Sequence, residues 1–399
     1  MKVLVLNCGS SSVKYQLFDM RDESVLAKGL VERIGMSDAI LTHRPTGKEK
    51  IRSVQPILEH TTAIKVVVNA LMHHEHGVIK DIAEIDAIGH RVVHGGEKFT
   101  QSAIVDNSVK EAIEEYFDLA PLHNPAHLKG ILAAEDAIPG APQVVVFDTS
   151  FHSTIPKYAY LYGLPYTLYQ KYRIRRYGFH GTSHKYVSHR AAELLGRPYD
   201  DVKIITCHLG NGASIAAIDH GKCVDTSMGF TPLEGLIMGT RCGDIDPAII
   251  PFIMAKEEIS LVELDSMLNK HSGILGVTGL SSDMRDLEDA TEKGDERAKL
   301  AMEMYTYRIR KYIGAYAAAM NGVDAIVFTA GIGERGPMQR EMICPHLSYL
   351  GVEFDPVAND FKGEERDITK PTSKVKVFVI PTDEELVIAR DTMELTSRA

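Results

Sequence analysis

The sequence lacks any long hydrophobic run, because none of its segments approaches the roughly 18 consecutive apolar residues that a membrane helix needs. Its apolar start, residues 3–6, is too short for the hydrophobic region of a secretory signal peptide. Trp is absent, and the five Cys form neither a C-x-x-C pair nor a short secreted framework. We therefore expect a cytoplasmic protein with reduced, buried thiols and no membrane partner.

The sequence also has no excess of positive charge, since it contains 44 Lys and Arg residues but 54 Asp and Glu residues, which gives a net charge of -10. This sign is wrong for general attraction to nucleic acid or anionic lipid, so we expect no nucleic-acid partner. A small anionic substrate would need a local cluster of Arg side chains or a metal ion. The 399 residues, 44% of them apolar, predict a globular chain of two to three domains at about 150 residues each.

Two segments of the sequence share one pattern, in which an apolar strand, a Gly-containing turn and an alternating strand precede Asp. These segments are residues 3–19 and 204–219. Gly9 and Gly210 are 201 positions apart, and the closing Asp19 and Asp219 are 200 apart. The repeat predicts two similar halves, each of which opens with strand, turn and strand.

Other apolar runs stop at polar residues, and helical periodicity lies between them. The runs are residues 85–89, 144–147, 325–328 and 375–380. Helical faces are predicted over 109–120 and 295–320, and Ser260 and Glu263 form a capping box. This order predicts an α/β fold with mixed sheets. Ligands bind where strands end in such sheets, so we expect the polar residues there to converge on a cleft between the halves.

The two turns of the repeat carry backbone N–H groups and side-chain donors that suit a polyphosphate. The donors are Asn7, Ser10, Ser12 and Asn211. Ordinary hairpin turns have the same composition, but the duplication favours a shared function. A Walker-type loop is excluded, because Gly47-Lys48 and Gly221-Lys222 are not followed by Ser or Thr.

Residues 331–336 form a literal G-x-G-x-x-G after an apolar strand. Alone, this motif favours a nicotinamide-dependent oxidoreductase. Only 63 residues follow it, too few for the usual two-half dinucleotide fold. The same glycines also allow a nucleoside to lie directly against the backbone.

Charged side chains follow several strands and Gly-rich stretches. Arg91 and Arg241 each carry a planar guanidinium group, whose rigid fork of N–H donors matches the oxygens of a carboxylate or phosphate. Asp148 and Glu384 suit Mg²⁺, which accepts one or two protein carboxylates, although a helix cap is an alternative role for Asp148. Pro or Gly neighbours place His123 and His180 in exposed loops.

Several separated motifs together resemble the acetate kinase family over essentially the whole chain. They are residues 7–14, 90–96, 147–151, 180–184, 210–212, 241–244, 282–285 and 330–334. The resemblance implies duplicated ribonuclease H-like, or actin-like ATPase, domains with mixed central sheets flanked by helices. It implies an N-terminal domain over 1–149 and a C-terminal domain with the nucleotide site over 150–385. A C-terminal helix over 386–399 would return to the first domain, and the protein would be a homodimer.

The resemblance also implies a role for individual residues. Catalysis would use Arg91, Asp148, His180 and Arg241, with His180, Arg241 and His123 stabilising the transition state. The substrate would contact Arg91, Val93, Leu122, Phe179 and Pro232. The nucleotide would contact Lys14, His208, Leu209, Gly210, Asn211, Gly212, Asp283, Met284, Arg285, Gly331, Ile332 and Gly333. Asn7, Asp148 and Glu384 would position the metal ion.

The activity implied is reversible, Mg²⁺-dependent transfer of the γ-phosphoryl group of ATP to acetate, giving acetyl phosphate and ADP by in-line displacement. Mn²⁺ is an alternative ion. A propionate or other short-chain acyl kinase is the first alternative, and the oxidoreductase is a weaker one. A nucleotide-responsive scaffold of the actin kind is disfavoured, because it would not require two arginines for a second substrate.

Overall fold

The computed structural model describes residues 1–121 and 123–398, and contacts within the chain divide it into two units. Unit 1 comprises Met1–Phe151 and the C-terminal segment that begins at Asp383, and unit 2 comprises His152–Thr382. Every helix in the described ranges is too short or too polar to cross a lipid bilayer.

Unit 1 is built on a mixed sheet, which has eight strands in the described residues and the order β5-β4-β3-β2-β1-β6-β8-β7. The strands are β1 (Lys2–Cys8), β2 (Ser12–Asp19), β3 (Ser24–Glu32), β4 (Met36–Pro45), β5 (Ile51–Ile57), β6 (Ala87–Val92), β7 (Ala103–Ile104) and β8 (Gln143–Phe147). The helices are α1 (His60–Leu71), α2 (Asn107–Glu115), α3 (Asn124–Ala137) and, at the C-terminal end, α14 (Glu384–Ser397).

Unit 2 is built on a second mixed sheet, with six strands among the described residues in the order β11-β10-β9-β12-β14-β13. The strands are β9 (Lys203–Leu209), β10 (Ala213–Asp219), β11 (Lys222–Thr226), β12 (Ala325–Thr329), β13 (Arg366–Asp367) and β14 (Lys376–Val379). The helices are α4 (Lys157–Tyr160), α5 (Tyr166–Tyr172), α6 (Gly181–Leu195), α7 (Ile249–Glu257), α8 (Leu261–Lys270), α9 (Gly273–Thr278), α10 (Met284–Glu292), α11 (Glu296–Ala319), α12 (Ala330–Arg335) and α13 (Pro337–Ile343).

The two sheets repeat one topology. The order β3-β2-β1-β6-β8-β7 in unit 1 matches β11-β10-β9-β12-β14-β13 in unit 2. The first two strands of each sheet form an antiparallel hairpin, and the first strand of that hairpin pairs in parallel with the next strand of the core. In unit 2 the helices α4, α5 and α6 precede this hairpin. The predicted α/β class with two mixed, helix-flanked sheets is therefore confirmed, and so is the repeat read from residues 3–19 and 204–219.

The central strands are covered on both faces, which explains why their sequences are continuous apolar runs. In unit 1, Val3 and Val5 face α14, whereas Leu4 and Leu6 face the core that includes α1. Gly89 of β6 lies directly under α14, where an added Cβ would stand 2.5 Å from Thr392 Oγ1. A side chain at position 89 would therefore push α14 off the sheet.

Two of the three helical predictions are confirmed. Ser260 Oγ accepts from the N–H of Glu263, whose carboxylate accepts from the N–H of Ser260, so the capping box forms. Helix α11 occupies 296–319 of the predicted 295–320. The helix predicted over 109–120 ends at Glu115 instead. Tyr116, the first residue after the helix, packs its ring against Gly96, which is distant in the sequence.

Candidate functional site

Three polar side chains lie at the carboxyl ends of neighbouring parallel strands in unit 1. Asn7 lies near the end of β1, Arg91 near the end of β6, and Asp148 directly after β8. The register that pairs Leu6 with His90 and Val92 with Phe147 brings these ends to one edge of the sheet. Glu384 is the first residue of α14, which packs on the same three strands.

Arg91 is held by the two carboxylates of this edge. Its Nε donates to Asp148 Oδ1 at 3.3 Å and its Nη2 donates to Asp148 Oδ2 at 2.5 Å. Glu384 Oε2 lies 4.0 Å from Arg91 Nε. Two roughly parallel hydrogen bonds fix the plane of the guanidinium, while 22% of the Arg91 side chain stays exposed. The arginine is therefore oriented but still accessible to a ligand.

The carboxylates of Asp148 and Glu384 also repel each other. Burial raises the pKa of Glu384 to about 7, Arg91 counteracts this, and Asp148 adds to it by repulsion. No group of three or more His, Cys, Asp or Glu side chains in the described residues could hold a metal ion by itself. A pair of carboxylates beside an Asn nevertheless fits Mg²⁺, which keeps water and phosphate in the rest of its shell. A divalent cation would relieve the repulsion.

The other predicted site residues of unit 1 are Val93, Leu122, His123 and Lys14. Val93 is buried, and its N–H donates to Nδ1 of His127 at 3.3 Å. Burial lowers the pKa of His127 well below its usual value, which keeps the ring a neutral acceptor. His123 is exposed and precedes α3, and Lys14 is exposed on β2 opposite Asn7. Leu122 lies outside the described residues.

A cavity in unit 2 brings together most of the predicted nucleotide residues. Its volume is about 720 Å³, within the range typical of small-molecule sites. The turn after β9, the start of α10 and helix α12 converge on it, although they are far apart in the sequence. The predicted residues that line it are Gly210, Asn211, Asp283, Met284, Arg285, Gly331 and Ile332.

Some predicted nucleotide residues lie elsewhere, and some lining residues were not predicted. Gly333 packs inward, where an added Cβ would lie 3.2 Å from the backbone of Phe328. His208 and Leu209 are buried at the end of β9. The cavity is also lined by Ser282, Glu288, Arg335, Gly336 and Lys362, which were not assigned to a site from the sequence.

The side chains of Arg241 and His180 both border one position at Gly212, in the turn between β9 and β10. A Cβ built on Gly212 would lie 3.3 Å from Arg241 Nη1 and 3.6 Å from His180 Nε2. His180 immediately precedes α6 in the left-handed region, with φ of 57°, which is uncommon for a residue with a Cβ. Strain of this kind is often kept at functional sites. Gly212 therefore leaves a space that both groups border.

Arg241 differs from Arg91 in having no carboxylate partner among the described residues. Its Nη1 donates to the Pro232 carbonyl at 3.4 Å and lies 3.7 Å from Met238 Sδ. Burial lowers the pKa of Arg241, as expected for a cation that no anion stabilises. Phe179 is buried beside His180 in the chain, and its carbonyl accepts from His152 Nε2 at 3.0 Å.

Three fully buried polar residues that hydrogen bonds link to His180 were not identified from the sequence, namely His184, Thr206 and Ser214. A signal for two of them was available. Thr206 and Ser214 interrupt apolar strands in which every neighbour is buried. A buried hydroxyl needs a hydrogen-bond partner, so a polar residue in such a strand indicates a network.

The arrangement supports a specific chemistry. The edge of unit 1 can hold a carboxylate or phosphate together with a divalent cation. Unit 2 can hold a nucleoside in its cavity and an anionic group beside Arg241 and His180.

Comparisons with known proteins agree on one family. The model of the Acetokinase family matches residues 2–390. An acetate kinase of Symbiobacterium thermophilum is 62% identical over 99% of both chains. One of Clostridioides difficile is 60% identical over 99% of this chain and 100% of its own.

Solved structures are similar over nearly the whole chain as well. Acetate kinase of Porphyromonas gingivalis is 52% identical, covers 99% of both chains and superposes with a TM-score of 0.96. A propionate kinase from Francisella tularensis is 42% identical, covers 98% of this chain and 99% of its own, and gives 0.91.

Proposed function

The chain belongs to the acetokinase family and is a kinase that acts on acetate, and we propose a role in this reaction for each of its site residues. The γ-phosphoryl group of ATP is transferred in line to an acetate oxygen, giving acetyl phosphate and ADP, and the reaction is reversible. Unit 1 supplies the carboxylate and metal site, and unit 2 supplies the nucleotide site. The observation that carries the proposal is the presence of two arginine forks, one in each unit.

The chemistry requires little proton transfer. Acetate has a pKa close to that of a Glu side chain, about 4.3, and is already an ionised nucleophile at neutral pH. The obstacle is the approach of one anion to another, so catalysis depends on positioning and charge neutralisation. Arg91 binds the acetate carboxylate and Arg241 the transferring phosphoryl group, while His180 and His123 donate hydrogen bonds to that group.

Magnesium is the proposed cofactor, with Mn²⁺ as a substitute. Asp148 and Glu384 would hold it, with Asn7 beside them, because two carboxylates and an amide suit a hard cation that retains its water. When bound, the ion would neutralise phosphate charge. Asp148 has a second task, since its paired hydrogen bonds orient Arg91.

ATP is proposed to bind in the cavity of unit 2. Asp283, Met284 and Arg285 at the start of α10, with Gly331 and Ile332 on α12, would surround the nucleoside. Gly210, Asn211 and Gly212 would contact the phosphates with His208, Leu209 and Lys14. Position 284 is Met, so the adenine would meet a flexible thioether.

The acyl group is proposed to contact Val93, Leu122, Phe179 and Pro232, because apolar side chains suit its single methyl group. A slightly larger pocket would accept propionate, and the similarity to a propionate kinase keeps that second activity open. One methylene in an apolar pocket changes specificity by only about 1–3 kcal/mol.

We expect acyl phosphate to form when the purified protein is incubated with acetate, ATP, Mg²⁺ and hydroxylamine, which traps the product as a hydroxamate. Chelation of the metal should abolish the signal. Propionate, run in parallel, should give a lower kcat/KM than acetate. Absence of hydroxamate with all components present would contradict the proposed function, and a higher value for propionate would reassign the substrate.

We expect Gly212→Ala to lower kcat about 100-fold, since its methyl group would occupy the space that Arg241 and His180 border, and small displacements of reacting groups have effects of this size. The methyl group makes no contact closer than 3.3 Å, so the melting temperature should stay within a few degrees. Gly163→Ala, where an added Cβ meets nothing within 4 Å, is the control. Wild-type kinetics for Gly212→Ala would exclude phosphoryl binding at this position.

A cytoplasmic homodimer is the proposed state of the protein. All five cysteines are free thiols and four are buried, as expected in a reducing compartment. Helices α7 and α8 present an apolar surface to solvent, including Phe252 at 63% and Val262 at 78% exposure. Exposed apolar patches commonly mark interfaces, so this surface is the proposed contact between two copies.

A further inference from the structure

A chain of hydrogen bonds links His180 to the interior of unit 2. His180 Nδ1 lies 2.9 Å from Ser214 Oγ, and the same oxygen lies 2.7 Å from His184 Nε2. His184 Nδ1 in turn lies 2.7 Å from Thr206 Oγ1. Ser214, His184 and Thr206 are completely buried, so their polar atoms depend on one another for hydrogen bonds.

The strand register and helix α6 assemble this chain. Ser214 of β10 pairs with His208 of β9, two residues beyond Thr206, so the three side chains share one face of the sheet. Helix α6 packs against β9, with His180 at its start and His184 one turn later. The His180 ring also stacks on His208, with ring centroids 4.1 Å apart.

The hydrogen bonds from Thr206 to His180 can run in two directions that agree with the number of protons present. The Ser214 hydroxyl has one proton, so it donates to one ring nitrogen and accepts from the other. Burial lowers the pKa of His184 well below its usual value, so its ring is neutral and carries a single N–H. That proton lies either on Nε2, toward Ser214, or on Nδ1, toward Thr206.

The Thr206 hydroxyl decides between the two directions. If His184 carries its proton on Nδ1, it donates to Thr206 Oγ1, and the Thr206 proton then has no other acceptor within the described part of the chain. A buried donor without an acceptor is unfavourable. If His184 carries its proton on Nε2, Thr206 donates to His184 Nδ1, His184 donates to Ser214, and Ser214 donates to His180 Nδ1. In this second arrangement the protons of Thr206, His184 and Ser214, the three fully buried members, each have an acceptor.

We propose that Ser214, His184 and Thr206 are positioning residues that fix His180 as the neutral tautomer with its proton on Nε2. This inference rests on the proposed function, in which His180 donates a hydrogen bond to the transferring phosphoryl group. His180 Nε2 borders the same space at Gly212 as Arg241 Nη1, so the fixed tautomer directs a donor at the position that the arginine also faces. No proton moves along the chain, which acts only on orientation and tautomer.

The test is ¹⁵N NMR of the native enzyme labelled in histidine, recorded above pH 8, where the nitrogen shifts distinguish the two tautomers. The His180 signal is assigned by its loss in His180→Gln. We expect His180 to carry its proton on Nε2 in the wild type and a mixture of tautomers in Ser214→Ala. A proton on Nδ1 in the wild type would overturn the proposal, whatever the activity, and so would an unchanged tautomer in Ser214→Ala.

Kinetics provide the second readout. Loss of a group that orients a functional side chain typically lowers activity about 10- to 100-fold, so kcat should fall by this factor in Ser214→Ala and Thr206→Val while KM for both substrates stays within threefold. Ser188→Ala removes another buried hydroxyl of α6 that bonds Lys185 and Tyr199 instead, and it is the matched control. Wild-type kcat in both Ser214→Ala and Thr206→Val would overturn the positioning role.

Failure of this inference can be distinguished from failure of the proposed function. If His180→Gln retains wild-type kcat, the catalytic role of His180 is wrong. If His180→Gln is inactive but Ser214→Ala and Thr206→Val are not impaired, only the positioning role is wrong. Should Ser214→Ala fail to fold, the wild-type tautomer and Thr206→Val still decide the outcome.

Discussion

Arg241→Ala should lower kcat by about 10³ to 10⁵, the range measured when an arginine that stabilises a phosphoryl-transfer transition state is removed. This factor corresponds to about 4 to 7 kcal/mol of activation free energy. Arg241 has no carboxylate partner in the described residues, and its closest acceptor is the Pro232 carbonyl at 3.4 Å. Its charge is therefore available to an anionic ligand, and steady-state kinetics measure what that charge contributes.

The matched variant for Arg241 is Arg241→Lys. It keeps the positive charge but loses the planar fork, so it should recover little of the lost activity. Neither change should lower the melting temperature by more than a few degrees, because removing an unpaired cation leaves no buried anion behind. Turnover of Arg241→Ala within threefold of the wild type would remove Arg241 from the mechanism.

Arg91→Ala should lose activity to a similar extent, by about 10³-fold or more, and should also destabilise the fold. Arg91 is the cation that lies between Asp148, which is 2% exposed, and Glu384. Its removal leaves two carboxylates close together with little solvent. Breaking a buried ion pair costs about 3–5 kcal/mol, and the partial exposure of Arg91 places the expected loss of stability near the lower value.

The pH dependence of this loss has a definite sign. Burial already raises the pKa of Glu384 to about 7 in the presence of Arg91, and loss of the cation should raise it further. A carboxyl with a higher pKa in the folded than in the unfolded state binds protons more tightly when folded, so its penalty shrinks as the pH falls. Thermal unfolding should therefore show a larger difference between Arg91→Ala and the wild type at pH 8 than at pH 5.5.

Arg91→Lys separates charge from geometry. The lysine should restore most of the stability, because it returns a cation to the two carboxylates, but little of the turnover, because it cannot form the paired bonds to Asp148. Full recovery of turnover in Arg91→Lys would show that the orientation of Arg91 is unimportant. A wild-type melting temperature for Arg91→Ala at pH 8 would show that the two carboxylates do not repel each other.

Local patterns in the sequence predict much of the fold. The strand-turn-strand repeat around Gly9 and Gly210 depends on nearest neighbours along the chain, and both hairpins form. The apolar runs that precede Arg91 and Asp148 depend on burial alone, and they form central strands. The helix predicted to continue to residue 120 fails because the packing of Tyr116 on Gly96 is a tertiary contact.

The site is less accessible to sequence reasoning. Arg91 and Asp148 could be selected as polar residues at the ends of apolar strands, since these strand ends meet at one edge. Glu384 also follows an apolar run, but that run forms β14 in the sheet of unit 2, and it is helix α14 that brings Glu384 to the edge of unit 1. Arg335 and Lys362 line the cavity from segments whose positions are set by the packing of whole helices and loops. His184 is contiguous with the His180 motif, but its partners Thr206 and Ser214 are fixed by cross-strand register, which no single segment encodes.

The place of α14 in the fold affects how the protein matures in the cell. This helix is encoded by the last part of the described chain, yet it covers β1, β6 and β8 and supplies Glu384 to the unit that is translated first. A nascent chain must therefore keep the open apolar side of that sheet shielded while more than two hundred further residues emerge from the ribosome. Prematurely terminated chains would lack both the cover and the Glu384 carboxylate, so we expect them to be inactive and to expose an apolar surface of the kind that chaperones and proteases recognise.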